Sequence, residues 1–246
     1  MADHTQALSF GVAAADYDRF RPRYPVAAVR WALDGLGDSA QVVDLGAGTG
    51  ILTRGVLALG HRVTSVEPDP KMRAQLDAAT PGVTALAGGA ESVPLPDRVA
   101  DAVVVGQAYH WFDRELAHAE IARVLRPGGT FAPIWNMRDE RVAWVAELGR
   151  IAHLGDNAGD VVGRYEDFGS AFTPVELGEF THHTTLTPDE VIAMLHTRSY
   201  WLTAPPERRA RIDRELRDLF AGHPELAGRK TVDLPYRTIV LRARRH

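Results

Sequence analysis

Val42–Gly50 reads VVDLGAGTG, an apolar run that leads into three glycines at alternate positions. The pattern predicts a buried strand, a tight turn and the start of a helix. In such a turn, backbone N–H groups approach a ligand with no side chains between them. Asp44 stands two residues before the first glycine. A carboxylate there disfavours a pyrophosphate and suits a positively charged group, such as an amino acid ammonium.

Two common nucleotide-binding patterns do not match this loop. A dinucleotide fingerprint has the form Gly-x-Gly-x-x-Gly, but Ile51 occupies the place of its third glycine. A phosphate-binding loop ends in Gly-Lys-Ser/Thr, and the stretch contains no lysine. The loop alone still permits an ordinary strand-to-helix turn of an α/β protein.

The composition is that of a soluble globular chain. The 246 residues are 45% hydrophobic and 24% charged, with a net charge of −4 and no cysteine. The lack of cysteine excludes disulfides, thiolate nucleophiles and cysteine-bound zinc. We find neither a signal peptide nor an apolar run of the about 20 residues that a membrane-spanning helix needs. We therefore expect a cytoplasmic protein with no membrane partner.

Strand-like and helix-like stretches alternate through the first half of the chain. Such repeated units predict a doubly wound, mostly parallel sheet with helices on both faces. Ligands of these sheets bind beyond the carboxyl ends of the strands. The predicted strands are 42–45, 62–66, 83–87, 101–105 and 130–135, and the predicted helices are 50–59, 70–79 and 113–125.

The second half has a different pattern. Thr187-Pro188-Asp189-Glu190 is a capping box with proline at the first helical position, so it predicts a helix start. A second amphipathic helix is predicted over 206–220, and the two helices together resemble a small cap over one edge of the sheet. The other predicted elements are a helix over 138–154 and strands over 176–185 and 231–242.

The Val42–Gly50 stretch resembles the first motif of class I methyltransferases that use S-adenosylmethionine, in particular the methyltransferase type 11 (UbiE-like) small-molecule subgroup. That cofactor carries an ammonium, a carboxylate, a sulfonium and an adenosine, but no phosphate. The resemblance implies a Rossmann-like sheet with an antiparallel last strand, and it places Asp44 near the ammonium. It also implies that the methionine and ribose parts lie over Gly46, Ala47, Gly48, Thr49 and Gly50.

Glu67 ends the second predicted strand, where a carboxylate can accept hydrogen bonds from both ribose hydroxyls. The resemblance gives Glu67 this ribose-binding role. It also implies that Pro68, Asp69 and Met72 border the adenine, with Met72 as an apolar wall. The structural alternative for Glu67 is a surface carboxylate at a strand end.

Gly88-Gly89-Ala90-Glu91 follows the third predicted strand. Members of the class I methyltransferase family that this chain resembles often have an acid in place of Gly89, and that acid binds the adenine amino group. The resemblance implies that the Ala90 N–H binds an adenine ring nitrogen, and that Glu91 or a water replaces the missing acid. The alternative is a plain loop.

Gly106–Asp113, GQAYHWFD, follows the fourth predicted strand, and the resemblance places it beside the methyl group. It implies that Gln107 and Ala108 contact the methionine part of the cofactor. His110 is the candidate catalytic residue, because imidazole can take a proton from a substrate hydroxyl near neutral pH. The alternative for His110 is a packed side chain that orients the loop.

Tyr17–Pro25 resembles a segment that lies across the cofactor as a lid in the small-molecule subgroup. Tyr17, Arg21 or Tyr24 is then a partner for the methionine carboxylate, with arginine the natural bidentate partner. Surface packing of these residues is the alternative. Arg198–Trp201 also resembles the subgroup and is a candidate lining of the acceptor pocket.

We therefore predict a methyltransferase that uses S-adenosylmethionine and acts on a small molecule, with a carboxylate or hydroxyl oxygen favoured as the acceptor. Nitrogen and carbon acceptors remain open, as does the oligomeric state. The predicted single domain, 1–246, divides into a lid region at 1–37, a cofactor-binding core at 38–136, and the remaining sheet at 137–246 with its cap near 187–221.

Two alternatives remain at this stage. One is an RNA or protein methyltransferase, although an acidic chain is a poor nucleic-acid binder, so no nucleic-acid partner is predicted. The other is a non-catalytic protein that binds S-adenosylmethionine. We predict no metal site, because the adjacent His182 and His183 would face opposite sides of a strand.

Overall fold

The computed structural model describes residues 18–152, 165, 167–197, 201 and 204–246. Within these residues, seven strands form one sheet in the order β3-β2-β1-β4-β5-β7-β6. The strands are β1 Gln41–Leu45, β2 Arg62–Val66, β3 Thr84–Leu86, β4 Ala100–Gly106, β5 Leu125–Arg138, β6 Glu176–Leu186 and β7 Val232–Arg244. The described α-helices are α1 Val26–Ala32, α2 Ile51–Leu57, α3 Pro70–Ala79, α4 Arg114–Val124, α5 Ala143–Ile151, α6 Pro188–His196 and α7 Pro206–Gly222, and Tyr109–Trp111 forms a 3₁₀ turn.

Strands β1 to β5 are parallel and form the predicted doubly wound half of the fold. The apolar run of β4 is continuous because both faces of the sheet are covered. Val103 and Val105 pack toward α4, whereas Ala102 and Val104 pack toward α1 and α2. This arrangement brings the carboxyl ends of β1, β2 and β4 to one edge of the sheet.

β7 lies between β5 and β6 and is antiparallel to both. The predicted Rossmann-like sheet, mostly parallel with an antiparallel last strand, is therefore confirmed. The pairing of β7 also explains why β5 continues past the predicted end at position 135, whereas its earlier start at Leu125 comes with pairing to Ala100 of β4. Asn136, Met137 and Arg138 extend β5 beyond the end of β4 and pair with Thr238, Arg237 and Tyr236.

The predicted helix over 138–154 begins later than expected. Arg138 still belongs to β5, because it pairs with β7, and α5 begins at Ala143. Between the two elements, Asp139 accepts a hydrogen bond from the backbone N–H of Arg141, which forms the turn. Positions 153 and 154 of the prediction lie outside the described residues.

An apolar cluster separate from the residues packed around β4 forms the interior of the predicted cap region. Helices α6 and α7 occupy the region predicted for the cap, and α5 joins them, which the sequence did not indicate. The capping box is present, with Glu190 N donating to Thr187 Oγ1 (3.2 Å) and Thr187 N donating to Glu190 Oε2 (2.9 Å). Prominent members of the cluster are Trp144, Leu148, Met194, Leu195, Leu216 and Tyr236.

Among the described helices, none combines the length and the apolar character needed to cross a lipid bilayer.

Candidate active site at the carboxyl ends of β1, β2 and β4

The glycine loop after β1 makes a close turn over the end of β2. Gly46, Gly48 and Gly50 have positive φ angles of 69°, 56° and 81°. A β-carbon added to Gly46 would lie 2.8 Å from the β-carbon of Ala108, so only glycine permits this approach to the loop after β4. The sequence therefore uses glycine here to bring two loops of the candidate site into contact.

Asp44 lies beneath this loop and is fully buried. Its Oδ2 accepts a hydrogen bond of 2.6 Å from Thr53 Oγ1, which also lies 3.0 Å from Ser65 Oγ. Among the described residues, no group hydrogen-bonds to the other carboxylate oxygen, Oδ1. Burial raises the pKa of Asp44 to about 7, although the hydrogen bond from Thr53 opposes this shift. Thr53 and Ser65 carried no signal in the sequence.

Glu67 joins the glycine loop to the turn that follows β2. Its Oε2 accepts from the backbone N–H of Gly48 (2.8 Å), and its Oε1 accepts from that of Asp69 (2.9 Å). Burial raises the pKa of Glu67, while these two backbone hydrogen bonds favour the charged form. Glu67 is 7% exposed, so the alternative of a simple surface carboxylate does not describe it.

The residues predicted to border the adenine start helix α3. Asp69 caps the helix, and its Oδ1 accepts from the backbone N–H groups of Lys71 (2.7 Å) and Met72 (3.2 Å). Met72 is buried, whereas Pro68 is exposed. The side chain of Asp69 therefore fixes the backbone of Met72 in the first turn of α3, and Asp69 N in turn donates to Glu67.

Glu91 stands beside the position where the family acid is missing. Its Oε1 accepts from the backbone N–H of Asp113 (2.9 Å). A β-carbon added to Gly89 would lie 3.2 Å from Glu91 Oε2. A carboxylate oxygen therefore lies close to position 89. Ala90, between them, is buried.

The loop after β4 is anchored to β5 through Gln107. This residue has a positive φ of 59°, an uncommon backbone state for a non-glycine residue. Its backbone N–H donates to Ile134 O, and its Nε2 donates to Asn136 O, both over 2.9 Å. Ala108 packs against the glycine loop as described above. The Gln107 side chain is thus directed to β5.

His110 is exposed, and its ring centroid lies 4.7 Å from that of Trp111. The neighbouring Tyr109 is buried instead, and its hydroxyl lies 2.5 Å from His118 Nε2. Burial lowers the pKa of His118. No local pattern indicates this pair, because its members are separated by nine positions and belong to different elements.

The N-terminal segment crosses the same edge of the sheet. Asp18 contacts Thr49 in the glycine loop, and Asn136 Nδ2 donates to Pro22 O (3.2 Å). Further along the segment, the hydroxyl of Tyr24 approaches the end of β4, because a β-carbon added to Gly106 would lie 2.8 Å from Tyr24 Oη. Arg21 is 8% exposed, so it does not lie on the open surface.

Four of the predicted site residues lie outside the described residues, namely Tyr17, Arg198, Ser199 and Tyr200. Trp201 is 9% exposed, and its ring stacks on His196 with centroids 3.8 Å apart. Trp201 therefore packs inside the cap.

The structure brings together most of the predicted cofactor residues, whereas Pro68 and His110 are exposed. The connected set consists of Asp44, Gly46, Ala47, Gly48, Thr49, Gly50, Glu67, Asp69, Met72 and Ala108.

The strand order, the glycine loop after β1 and the buried acid at the end of β2 together define a class I methyltransferase fold. Comparisons with known proteins agree with this assignment. The model of the family described as "Methyltransferase domain" matches residues 43–132. A methyltransferase of Mycobacterium tuberculosis, strain H37Rv, whose own function is uncharacterised, is 44% identical over 237 residues, which is 96% of each chain.

A solved structure from Anaeromyxobacter dehalogenans, assigned as a type II methyltransferase, superposes with a TM-score of 0.68 at 27% identity. The match covers 92% of this chain and 98% of that one. A malonyl-[acyl-carrier protein] O-methyltransferase of Pectobacterium atrosepticum is 34% identical over 128 residues, or 51% of each chain. This chain belongs to the class I S-adenosylmethionine-dependent methyltransferase family, and it is an enzyme of that kind.

Proposed function

We propose that this protein binds S-adenosylmethionine over the glycine loop and methylates a small-molecule acceptor. The observation that supports this most directly is Asp44, which is fully buried beneath the loop with one carboxylate oxygen unsatisfied. An unsatisfied buried carboxylate is costly, so it calls for a cationic partner. The ammonium of the methionine part is a partner of the right charge.

Glu67 is suited to hold the ribose of the same cofactor. Each of its oxygens accepts one backbone hydrogen bond, and a carboxylate oxygen has the capacity for a second. Two ribose hydroxyls would use this remaining capacity. The backbone contacts to Gly48 and Asp69 also fix the direction in which the carboxylate faces.

We propose that Glu91 and Ala90 bind the adenine. The Glu91 carboxylate lies next to Gly89, at the place where the family acid would be, and its Oε2 is the nearest atom to an added β-carbon there. Asp113 N holds the other carboxylate oxygen and so orients the group. On this proposal, Glu91 accepts from the adenine amino group, the Ala90 N–H donates to a ring nitrogen, and Pro68 and Met72 border the ring.

The rate of methyl transfer would depend mainly on how well the acceptor atom is aligned with the methyl group of the cofactor. When bound, S-adenosylmethionine supplies an activated methyl group on a sulfonium. The residues of this chain hold the acceptor in line at about 3 Å from that methyl and exclude water. Gln107 and Ala108 contribute to this by fixing the loop after β4. Arg21 and Tyr24 are proposed partners of the methionine carboxylate, as is Tyr17.

The proposed acceptor atom is a carboxylate or hydroxyl oxygen. The similarity to a malonyl-[acyl-carrier protein] O-methyltransferase supports an oxygen acceptor, although it extends over only 51% of the chain. A carboxylate acceptor needs no general base. A hydroxyl acceptor does, and His110 is then the proposed base. A His110→Ala variant with full activity toward the acceptor would remove that role.

Calorimetric titration with S-adenosylmethionine and S-adenosylhomocysteine tests the cofactor site. We expect binding by the wild-type protein and its loss in Asp44→Ala and Glu67→Ala. Glu179→Gln, which removes one partner of an exposed ion pair with Arg237, serves as the matched control and should bind normally. Binding would then justify a methyl-transfer screen of small acids, phenols and amines. A wild-type protein that binds neither compound would contradict the proposal.

A further inference from the structure

Thr49, in the middle of the glycine loop, is held on two sides by charged residues that lie outside the loop. Its hydroxyl donates to Asp18 Oδ1 over 2.9 Å, and its carbonyl accepts from Arg54 Nη1 over 2.8 Å. Arg54 Nη2 in turn pairs with the same oxygen of Asp18. Loop, helix α2 and N-terminal segment therefore meet in one closed set of contacts.

The ion pair within this set is sheltered. The side chains of Asp18 and Arg54 are 17% and 25% exposed. Burial acts to raise the pKa of Asp18, but hydrogen bonds from Thr49 and Arg54, and the charges of Arg54 and Arg23, bring that pKa below its usual value. The carboxylate is therefore charged at neutral pH, and its hydrogen bonds are the stronger, charge-assisted kind.

The other end of the N-terminal segment is fixed by neutral groups. Asn136 Nδ2 donates to Pro22 O (3.2 Å) and Arg23 O (3.3 Å). The amide oxygen of Asn136 accepts from Thr238 Oγ1 over 2.6 Å, and both side chains are buried in the sheet. One end of segment 18–25 is thus anchored in the core. The other end is attached by an ion pair whose two side chains are still partly exposed to water.

We propose that Asp18 and Arg54 are positioning residues that lock segment 18–25 onto the glycine loop, and that this lock limits how fast the cofactor leaves. The inference rests on the proposed function, because it assumes that the cofactor binds at this loop. Asp18 and Arg54 need not touch the cofactor. They act through Thr49, and opening of the lock frees both the loop and the segment that crosses it.

The test measures the dissociation rate of S-adenosylhomocysteine by stopped-flow displacement. Asp18→Asn keeps an acceptor for the Thr49 hydroxyl but removes the charge, and Arg54→Gln removes the opposite charge. We expect each to speed dissociation by about tenfold, as loss of a charge-assisted hydrogen bond would. The double variant should speed dissociation by less than the product of the two single effects, because the Asp18–Arg54 pair is lost in all three variants.

Two further readouts separate a lock from a general loss of stability. Raising the salt concentration should accelerate dissociation from the wild-type protein but not from Asp18→Asn, since only the former has the ion pair. Tryptic cleavage after Arg19 and Arg23, measured without any cofactor, should be faster in Asp18→Asn. Glu179→Gln, at the ion pair with Arg237 between β6 and β7, is the matched control and should behave as wild type.

The outcomes distinguish the lock from the proposed function. Dissociation and cleavage rates in Asp18→Asn equal to those of the wild type would overturn the lock and leave cofactor binding intact. Failure of the wild-type protein to bind S-adenosylmethionine and S-adenosylhomocysteine would overturn the proposed function, and the lock with it. Unchanged cleavage in both variants would refute the lock even if one of them bound cofactor poorly for another reason.

Discussion

Asp44 combines complete burial with a raised pKa of about 7, and this makes the stability of the ligand-free fold depend on pH. Its ordinary value is 3.8, so the unfolded chain loses this proton at lower pH than the folded chain does. Stability therefore falls as pH rises between the two values, and the cost of the buried charge is complete above the higher one. Ionisation of Asp44 thus lowers the stability of the fold unless a cationic group compensates the charge.

The prediction that follows concerns Asp44→Asn. At about pH 8 we expect this variant to be more stable than the wild type without ligand, by roughly 2–4 kcal/mol, because no charge is then buried. At about pH 3 the difference should be small, since the wild-type carboxyl is then protonated in both the folded and the unfolded chain. Thermal unfolding at both pH values measures this. A variant that is less stable at the higher pH would contradict the assignment of a charged, unsatisfied Asp44.

The residues of the glycine motif could be predicted from the sequence, whereas the residues that support them could not. Asp44, Gly46 and Glu67 belong to local patterns with known spacing. Asp18 contacts Thr49 across 31 positions of sequence, and no local pattern encodes such a contact. The same holds for the hydroxyl of Thr53, which donates to Asp44 from the first turn of α2.

At the scale of the elements, the glycine loop is constrained by its neighbour after β4. Gly46→Ala places a β-carbon 2.8 Å from that of Ala108 and also requires a positive φ of 69° from alanine. We expect the loop to shift and cofactor affinity to fall by at least about tenfold, with stability lowered by about 1–2 kcal/mol. Calorimetry and thermal unfolding measure the two effects. Gly60→Ala, which meets no atom within 4 Å, controls for positive φ alone.

The cap helix α6 depends on its N-terminal capping box. Thr187→Ala removes the acceptor for the Glu190 N–H and the reciprocal support of the Glu190 carboxylate. We expect a loss of about 1 kcal/mol in the free energy of unfolding, because a capping residue is worth about that much. Thr187→Ser should retain most of the stability, since it keeps the hydroxyl. Equal stability of the alanine and serine variants in denaturant titrations would argue against the box.

The elements differed in how well the sequence predicted them. The bounds of β2 and α3 agree with the prediction, because an apolar run and a capped, proline-started helix are local signals. β5 and α5 do not, because the end of β5 is set by its pairing with β7, about 100 positions later. The helix prediction over 138–154 was wrong at its start for that reason.

At the scale of the whole molecule, the net charge of −4 bears on the class of acceptor. An acidic chain gains little from the release of counterions when it approaches RNA. We expect no binding of transfer RNA or single-stranded RNA in fluorescence anisotropy at about 150 mM salt. Submicromolar binding that weakens steeply with salt would instead favour the RNA methyltransferase alternative.

The order of the strands in the sheet was not predicted from the sequence. Periodicity predicted that strands and helices alternate, but it does not specify which strand lies beside which. The antiparallel direction of the last strand came from the resemblance, and the structure confirms it and shows that β7 lies between β5 and β6. The division into lid region, core and cap stays a prediction.

The position of β7 also orders the events of biosynthesis. Strands β1 to β5, with the glycine loop and Glu67, leave the ribosome first and already form one continuous parallel array. β6 follows, and among the described strands it pairs with β7 alone, which is translated after it. A nascent chain therefore contains β1 to β5 before β6 has β7 to pair with, and a pause in translation ahead of β7 leaves an unpaired strand of 11 residues exposed to chaperones.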